Sequence, residues 1–170
     1  MIRTLKLEDA SGMYQTLCDQ KVNQYMNIDG KNSSVELCQD YIKKANESLD
    51  CKHFAIVDEE DNWIGTISLK NIDHKVGQAE YAIITSSKVH GKGYAFNATF
   101  ELLEYAFDVL KLNRVYLNVV ADNLRANQFY KKCGFVLEGT FRKAIYIKGH
   151  IYDLNWYSML RQDYLGVKKN

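Results

Sequence analysis

Between residues 80 and 120 the chain reads as strand, glycine bend, helix and strand, and that order limits the fold more than any other feature. Glu80 to Thr85 is a short, largely apolar run, and His90-Gly91-Lys92-Gly93-Tyr94-Ala95 follows as a bend. Ala95, Ala98, Leu102, Ala106, Val109 and Leu110 then recur at helical spacing. Val115, Leu117 and Val119 alternate within Arg114 to Val120, as in a strand with one buried face. A helix that carries the chain back to a second strand of the same sheet makes the two strands parallel, with a right-handed crossover.

The flanks supply the rest of a mixed sheet. Residues 2–7 read as a strand, and Asp9 is a candidate N-cap for a helix carrying Met13, Leu17 and Cys18. Ser33-Ser34-Val35-Glu36 has the form of a capping box ahead of a helix with Cys38, Tyr41, Ile42 and Ala45 on one face. His53 to Val57 and Trp63 to Leu69 pair as an antiparallel hairpin around the polar turn Asp58 to Asn62. Asp122 or Asn123 caps a short helix through Lys132, which Gly134 ends. Strands follow near Phe135 to Glu138, Thr140 to Ile147 and Ile151 to Met159. The expected fold is mixed α/β over residues 1–170 as one domain, a mostly antiparallel central sheet with one parallel strand pair, flanked by about four helices.

Charge narrows the function classes. Lys plus Arg number 22 against 21 Asp plus Glu, a formal net charge of +1, which supports neither general nucleic-acid binding nor polybasic membrane attachment. The first residues, interrupted by charges, contain no secretory h-region, and no apolar run approaches the roughly 18 residues of a membrane span. Cys18, Cys38, Cys51 and Cys133 are far apart, as in reduced thiols of a cytoplasmic protein. His53, His74, His90 and His150 lack ligand spacing, so no metal is expected.

The bend at residues 90–95 suits an anion. Two glycines permit close backbone approach, and the helix that begins there offers unpaired N–H groups and a positive dipole end. A tight turn with glycines for geometry alone satisfies the same pattern. The segment lacks the phosphate-loop pattern G-x-x-x-x-G-K-[ST], and Phe96 stands where the dinucleotide pattern requires its third glycine.

About thirty residues on, Asn123, Ala126, Tyr130, Gly134 and Phe135 form N-x-x-A-x-x-x-Y-x-x-x-G-F. With the bend, this resembles the GNAT superfamily of acetyl-CoA-dependent N-acetyltransferases. Its first motif, Q/R-x-x-G-x-G/A, is matched at Gly93 and Ala95, with His90 in place of Gln or Arg. The branch resembled contains ribosomal-protein N-terminal, polyamine and nucleotide-aminosugar acetyltransferases.

The resemblance implies acetyl-CoA as the acyl donor. Ile83, Ile84 and Thr85 would pair their backbone with the pantetheine arm. The amides of Gly91, Lys92, Gly93, Tyr94 and Ala95, beside His90, would hold the pyrophosphate. Asn123 would bond to the pantetheine or to a neighbouring backbone group, Ala126 would leave room for the cofactor, and Tyr130 would stand near the thioester sulfur as the acid that protonates the departing thiolate. Lys132 is read as a solvated charge ahead of a contact with the 3′-phosphate.

An alkyl ammonium with a pKa of about 10.4 is almost wholly protonated at neutral pH, so the amine must lose a proton before it attacks. Glu80 is the candidate base, directly or through water, against its reading as a solvated strand-edge carboxylate. The amide of Ile84 or Thr85 is the candidate donor to the oxyanion. The acceptor is an amine of a small molecule or a protein N-terminus, and Lys70 beside the cleft counts against a polyamine. A non-catalytic acyl-CoA-binding module is the alternative, and homo-oligomerisation stays open.

Overall fold

The protein, seen in a computed structural model that describes residues 1–28 and 30–168, is built on one seven-stranded sheet. In chain order the elements are β1 (Ile2–Thr4), α1 (Ala10–Cys18), α2 (Gln20–Asn23), α3 (Val35–Glu47), β2 (Lys52–Val57), β3 (Trp63–Asp73) and β4 (Gln78–Thr85). Then come α4 (Tyr94–Glu104), β5 (Arg114–Val120), α5 (Leu124–Lys132), β6 (Val136–Ile147), β7 (His150–Leu160) and α6 (Arg161–Lys168). The strand order is β1-β2-β3-β4-β5-β7-β6, antiparallel throughout except for β4 and β5. The mixed sheet with one parallel pair is therefore as the sequence implies.

Each face of the sheet has its own core. Ala98, Leu102 and Leu103 of α4, Tyr130 of α5, Cys133 just after it and Tyr164 of α6 pack on Ile67, Tyr81, Val115, Leu117 and Tyr157. On the other face Met13 of α1 and Cys38, Ile42 and Ala45 of α3 cover Ala55 and Val57.

Several details depart from the sequence reading, each for a local reason. Asp9 does not cap α1 with its side chain. Its carboxylate accepts from the Lys6 amide at 2.8 Å and from the Arg3 guanidinium at 2.8 and 2.9 Å, a forked, charge-assisted pair that outweighs a cap. The cap of α3 is Ser34 rather than Ser33, its hydroxyl accepting from the Leu37 amide. The two strands expected from Phe135 to Ile147 are one, β6, broken by bulges that turn its pattern. Asp153 accepts from the Lys143 amide at 2.7 Å within the second irregularity. Among the described residues six α-helices stand where about four were expected; the additions are the single turn α2 and α6, anchored by Tyr164 stacked on Phe107 at 5.1 Å.

The parallel pair is short. Gln78, Ala79 and Glu80 sit opposite Arg114, Val115 and Tyr116, and the pairing stops there. Beyond it β4 stays bonded to β3 as far as Thr85, and β5 stays bonded to β7 as far as Val120. The buried Asn127 of α5 holds the far end of β5. Its amide nitrogen reaches the carbonyls of Asn123, Val120 and Ala121 at 2.8, 3.0 and 3.3 Å, and its oxygen accepts from Asn155 Nδ2 and Tyr157 Oη at 2.8 and 2.9 Å. Asn127→Ala would strand these buried groups, and is expected to lower stability by roughly 2–4 kcal/mol. Urea denaturation monitored by circular dichroism checks this; an unchanged midpoint would contradict it.

Candidate active site

Where β4 and β5 part, their facing backbone groups lose each other as partners. The register tells which groups those are. The Ser86 amide donates to the Ile64 carbonyl at 2.9 Å, so residues 64 and 86 form a bonded pair on the β3 side. Bonded and non-bonded pairs alternate along an antiparallel ladder, so Ile84, opposite Thr66, turns its N–H to β3, and Thr85, opposite Gly65, turns away. By the same alternation Ile83 faces the gap. Of the two amides considered for the oxyanion, Ile84's is committed to the ladder and Thr85's is free of it.

Side chains divide by face. Tyr81 points to the α4–α5 side, its hydroxyl 2.8 Å from Thr99 Oγ1. Tyr130 lies edge-on to it at 5.9 Å and also meets Tyr157 of β7, so its ring sits beneath the region where the strands diverge. Tyr130 is 8% exposed, and burial raises its phenol pKa, which keeps the proton on oxygen. Glu80, one residue from Tyr81, faces the opposite side. There it is joined by Lys70 Nζ at 3.3 Å and accepts from Asn71 Nδ2 at 2.9 Å. The partly exposed Ala82, Ile84, Tyr116, Asn118 and Trp156 share this face and form a cleft floor, with Tyr116 stacked on Trp156 at 6.0 Å.

At the mouth of the gap the bend takes the shape an anion requires. Gly91 and Gly93 hold φ of 79° and 87°, and a methyl group added at either would meet nothing within 4 Å, leaving open space over the backbone. The first bond of α4 runs from the Asn97 amide to the Gly93 carbonyl at 3.1 Å, so the amides of Tyr94, Ala95 and Phe96 have no partner within the helix. These residues fit the diphosphate of CoA, which would bring a thioester-activated acetyl group to the gap.

The second motif lies alongside. Asn123 caps α5 by accepting from the Ala126 amide at 3.2 Å, and Ala126 is partly exposed. Arg125, which the motif reading passed over, contacts His90 Nδ1. Burial, then the Arg125 charge, lowers the His90 pKa; the Thr85 backbone and the Asp19 charge oppose them. Lys132 sits over the Phe96 ring at 5.5 Å, a cation on the first turn of α4. Sequence reasoning also passed over His53 and Ser68, neighbours only across strands, and the Ser87 hydroxyl that donates to Asp19. Among the described residues no group of three or more His, Cys, Asp or Glu is arranged to hold a metal, and no helix is long and apolar enough to cross a membrane.

Residues 1–136 match the acetyltransferase (GNAT) domain family. The chain belongs to the GNAT acetyltransferases. This GNAT protein is 33% identical over 169 residues to the uncharacterized N-acetyltransferase p20 of Bacillus licheniformis, covering 97% of this chain and 94% of that one. It is 29% identical over 164 residues to the spermidine N(1)-acetyltransferase of Vibrio cholerae, covering 96% and 94%. The crystal structure of spermidine N-acetyltransferase from Vibrio cholerae in complex with CoA and spermine superposes with a TM-score of 0.87 at 27% identity, covering 97% of each chain. The protein is an acetyl-CoA-dependent N-acetyltransferase.

Gly93→Val tests the anion loop. A β-branched residue at φ of 87° carries strain on the order of 1–3 kcal/mol, which displaces the amides while the core is untouched. Acetyl-CoA affinity measured by calorimetry is expected to fall at least about tenfold, the equivalent of ~1.4 kcal/mol. Wild-type affinity in the folded variant would remove the loop from the site.

Proposed function

We propose that the chain transfers the acetyl group of acetyl-CoA to a primary amine of a small molecule, by direct attack across the gap between β4 and β5. The observation that carries this reading is the two-sidedness of that gap. The glycine loop and a buried phenol lie on one side, and a carboxylate over an aromatic floor lies on the other. A thioester entering from the helix side and an amine from the floor side would meet between the strands.

Each residue then has a task. The backbone of Ile83 and Thr85 pairs with the amides of the pantetheine arm, in place of the missing β5 partner. Gly91, Lys92, Gly93, Tyr94 and Ala95 hold the diphosphate, with His90 and Asn123 at its edges and Ala126 leaving space. The Thr85 N–H donates to the oxygen on which negative charge develops. Tyr130, kept protonated by burial, gives its proton to the departing thiolate. Glu80 draws the amine into the cleft, and the amine gives up its proton through water. Residues 1–170 act as one unit in the cytoplasm.

Similarity to enzymes named for spermidine supports a small-molecule amine over a protein N-terminus. Lys70 already matches the charge of Glu80, which favours an acceptor with fewer ammonium groups than a polyamine. The test is CoA-thiol release from acetyl-CoA with a panel containing a monoamine, an aminosugar nucleotide, spermidine and a peptide N-terminus. Amine-dependent release with at least one small molecule is expected; binding of acetyl-CoA without turnover across the panel would overturn the reading. Tyr130→Phe is expected to lower kcat by roughly ten- to a thousandfold with little change in acetyl-CoA affinity. Unchanged turnover would take Tyr130 out of the chemistry.

A further inference from the structure

Both oxygens of Glu80 are engaged, one by Lys70 and the other by Asn71, so this carboxylate begins the reaction already satisfied. A second basic group lies one row along on the same face of the sheet. His53 on β2 is opposite Ser68 on β3, and Ser68 is opposite Ala82 on β4. Residues directly opposite share a face, so His53, Ser68 and Ala82 form a row beside the row of Lys70, Glu80 and Tyr116. Ala82 lies two residues before Ile84, at the edge of the gap. Its methyl group leaves the Ser68 hydroxyl about one strand spacing (~4.8 Å) away, a separation that a water would span.

The row is connected. Ser68, 5% exposed, has its Oγ 2.8 Å from His53 Nδ1, and Tyr41 Oη from α3 stands 2.9 Å from the same nitrogen. The titratable groups around this imidazole are Tyr41 from α3 and Lys70 from β3, and Cys51, just before β2, acts in turn on Tyr41. Burial, then the Lys70 charge, lowers the His53 pKa, so the ring is neutral at pH 7 and has a lone pair to offer.

We infer that Ser68 and His53 form the exit route for the proton of the acceptor amine, a role that rests on the acetyl-transfer reading of the same site. An ammonium in the cleft gives a proton to a water over Ala82, and its freed lone pair makes the attack. The water passes a proton to Ser68 Oγ, and the Ser68 hydroxyl hands its own proton to His53 Nδ1. One N–H bond breaks at the amine and one forms at the imidazole, and the single positive charge moves without change in total. The route requires the His53 tautomer with its proton on Nε2. Glu80 then attracts the ammonium and orients it, and His53 acts through Ser68 to take the proton away.

The test is the pH profile of kcat for amine-dependent CoA release, from pH 5 to 9 at saturating acetyl-CoA. In the wild type kcat is expected to fall on the acid side, with a midpoint below the usual imidazole value of about 6.5. His53→Gln is expected to lower kcat at pH 7.5 by tenfold or more, to remove that acid limb, and to leave the KM for acetyl-CoA unchanged. Ser68→Ala, which keeps the imidazole, is expected to do the same, and serves alone if His53→Gln does not fold. Glu80→Gln should retain the limb and raise the KM for the amine. Wild-type kcat in folded His53→Gln or Ser68→Ala overturns the relay. So does a loss of kcat with the acid limb intact, which marks a structural role. A wild-type protein that turns over no amine overturns the acetyl-transfer reading itself, and the relay falls with it.

Discussion

The structure depends on a conflict between two loyalties in one sheet. β4 is held to β3 along its length, and β5 is held to β7, with Asn127 tying the carbonyls of Val120 and Ala121 to α5 and to the side chains of Asn155 and Tyr157. The two halves agree only over the three residue pairs from Gln78–Arg114 to Glu80–Tyr116. Past that point the sheet divides, and the gap-facing N–H and C=O groups of Ile83 and Thr85 lose a strand partner. Backbone polar groups away from water demand partners. A ligand with amides along its length could supply them, which is the place the proposed reading gives to the extended arm of the thioester.

Features that are local in sequence were legible in it. The glycine bend ahead of α4 and the cap of α5 by Asn123 both follow from a few adjacent residues. The parallel pair followed from connectivity alone, since a helical return between two strands has one common hand. Contacts between distant segments were not legible. Asn127 looked like one polar residue on a helix, because its five partners come from β5, the turn after it and β7. His53 and Ser68 are fifteen residues apart, and only the β2–β3 register sets them opposite each other. The choice between the amides of Ile84 and Thr85 likewise needed the bonding phase of the ladder, which composition does not carry. β6 misled for a different reason: its bulges interrupt the two-residue alternation, so one strand reads as two.

Burial and charge act oppositely on the two sides of the gap. On the helix side, burial among aromatic rings disfavours the phenolate of Tyr130, so the proton stays on its oxygen. On the cleft side, burial and the Lys70 charge disfavour the protonated form of His53. One environment keeps an acid charged with its proton and the other keeps a base empty, at the same pH. In the reaction proposed above a proton leaves an amine and another reaches sulfur; two groups held in opposite states could divide those steps, with the phenol regaining a proton and the imidazole releasing one before the next turnover.

The ion pair of Lys70 with Glu80 bears on which amine enters. A bare carboxylate in a half-buried cleft is attractive to any cation, and several together select polycations. Here the lysine has already met the charge, and an incoming ammonium gains only what Lys70 gives up or what the remaining lone pairs of Glu80 can offer. The floor beside it adds aromatic surface from Tyr116, Trp156 and Phe141, with Trp156 and Phe141 at 5.4 Å. Ring faces attract both an ammonium and apolar carbon. In the small-molecule reading proposed above, a cleft of this composition would suit an amine joined to an apolar or planar body.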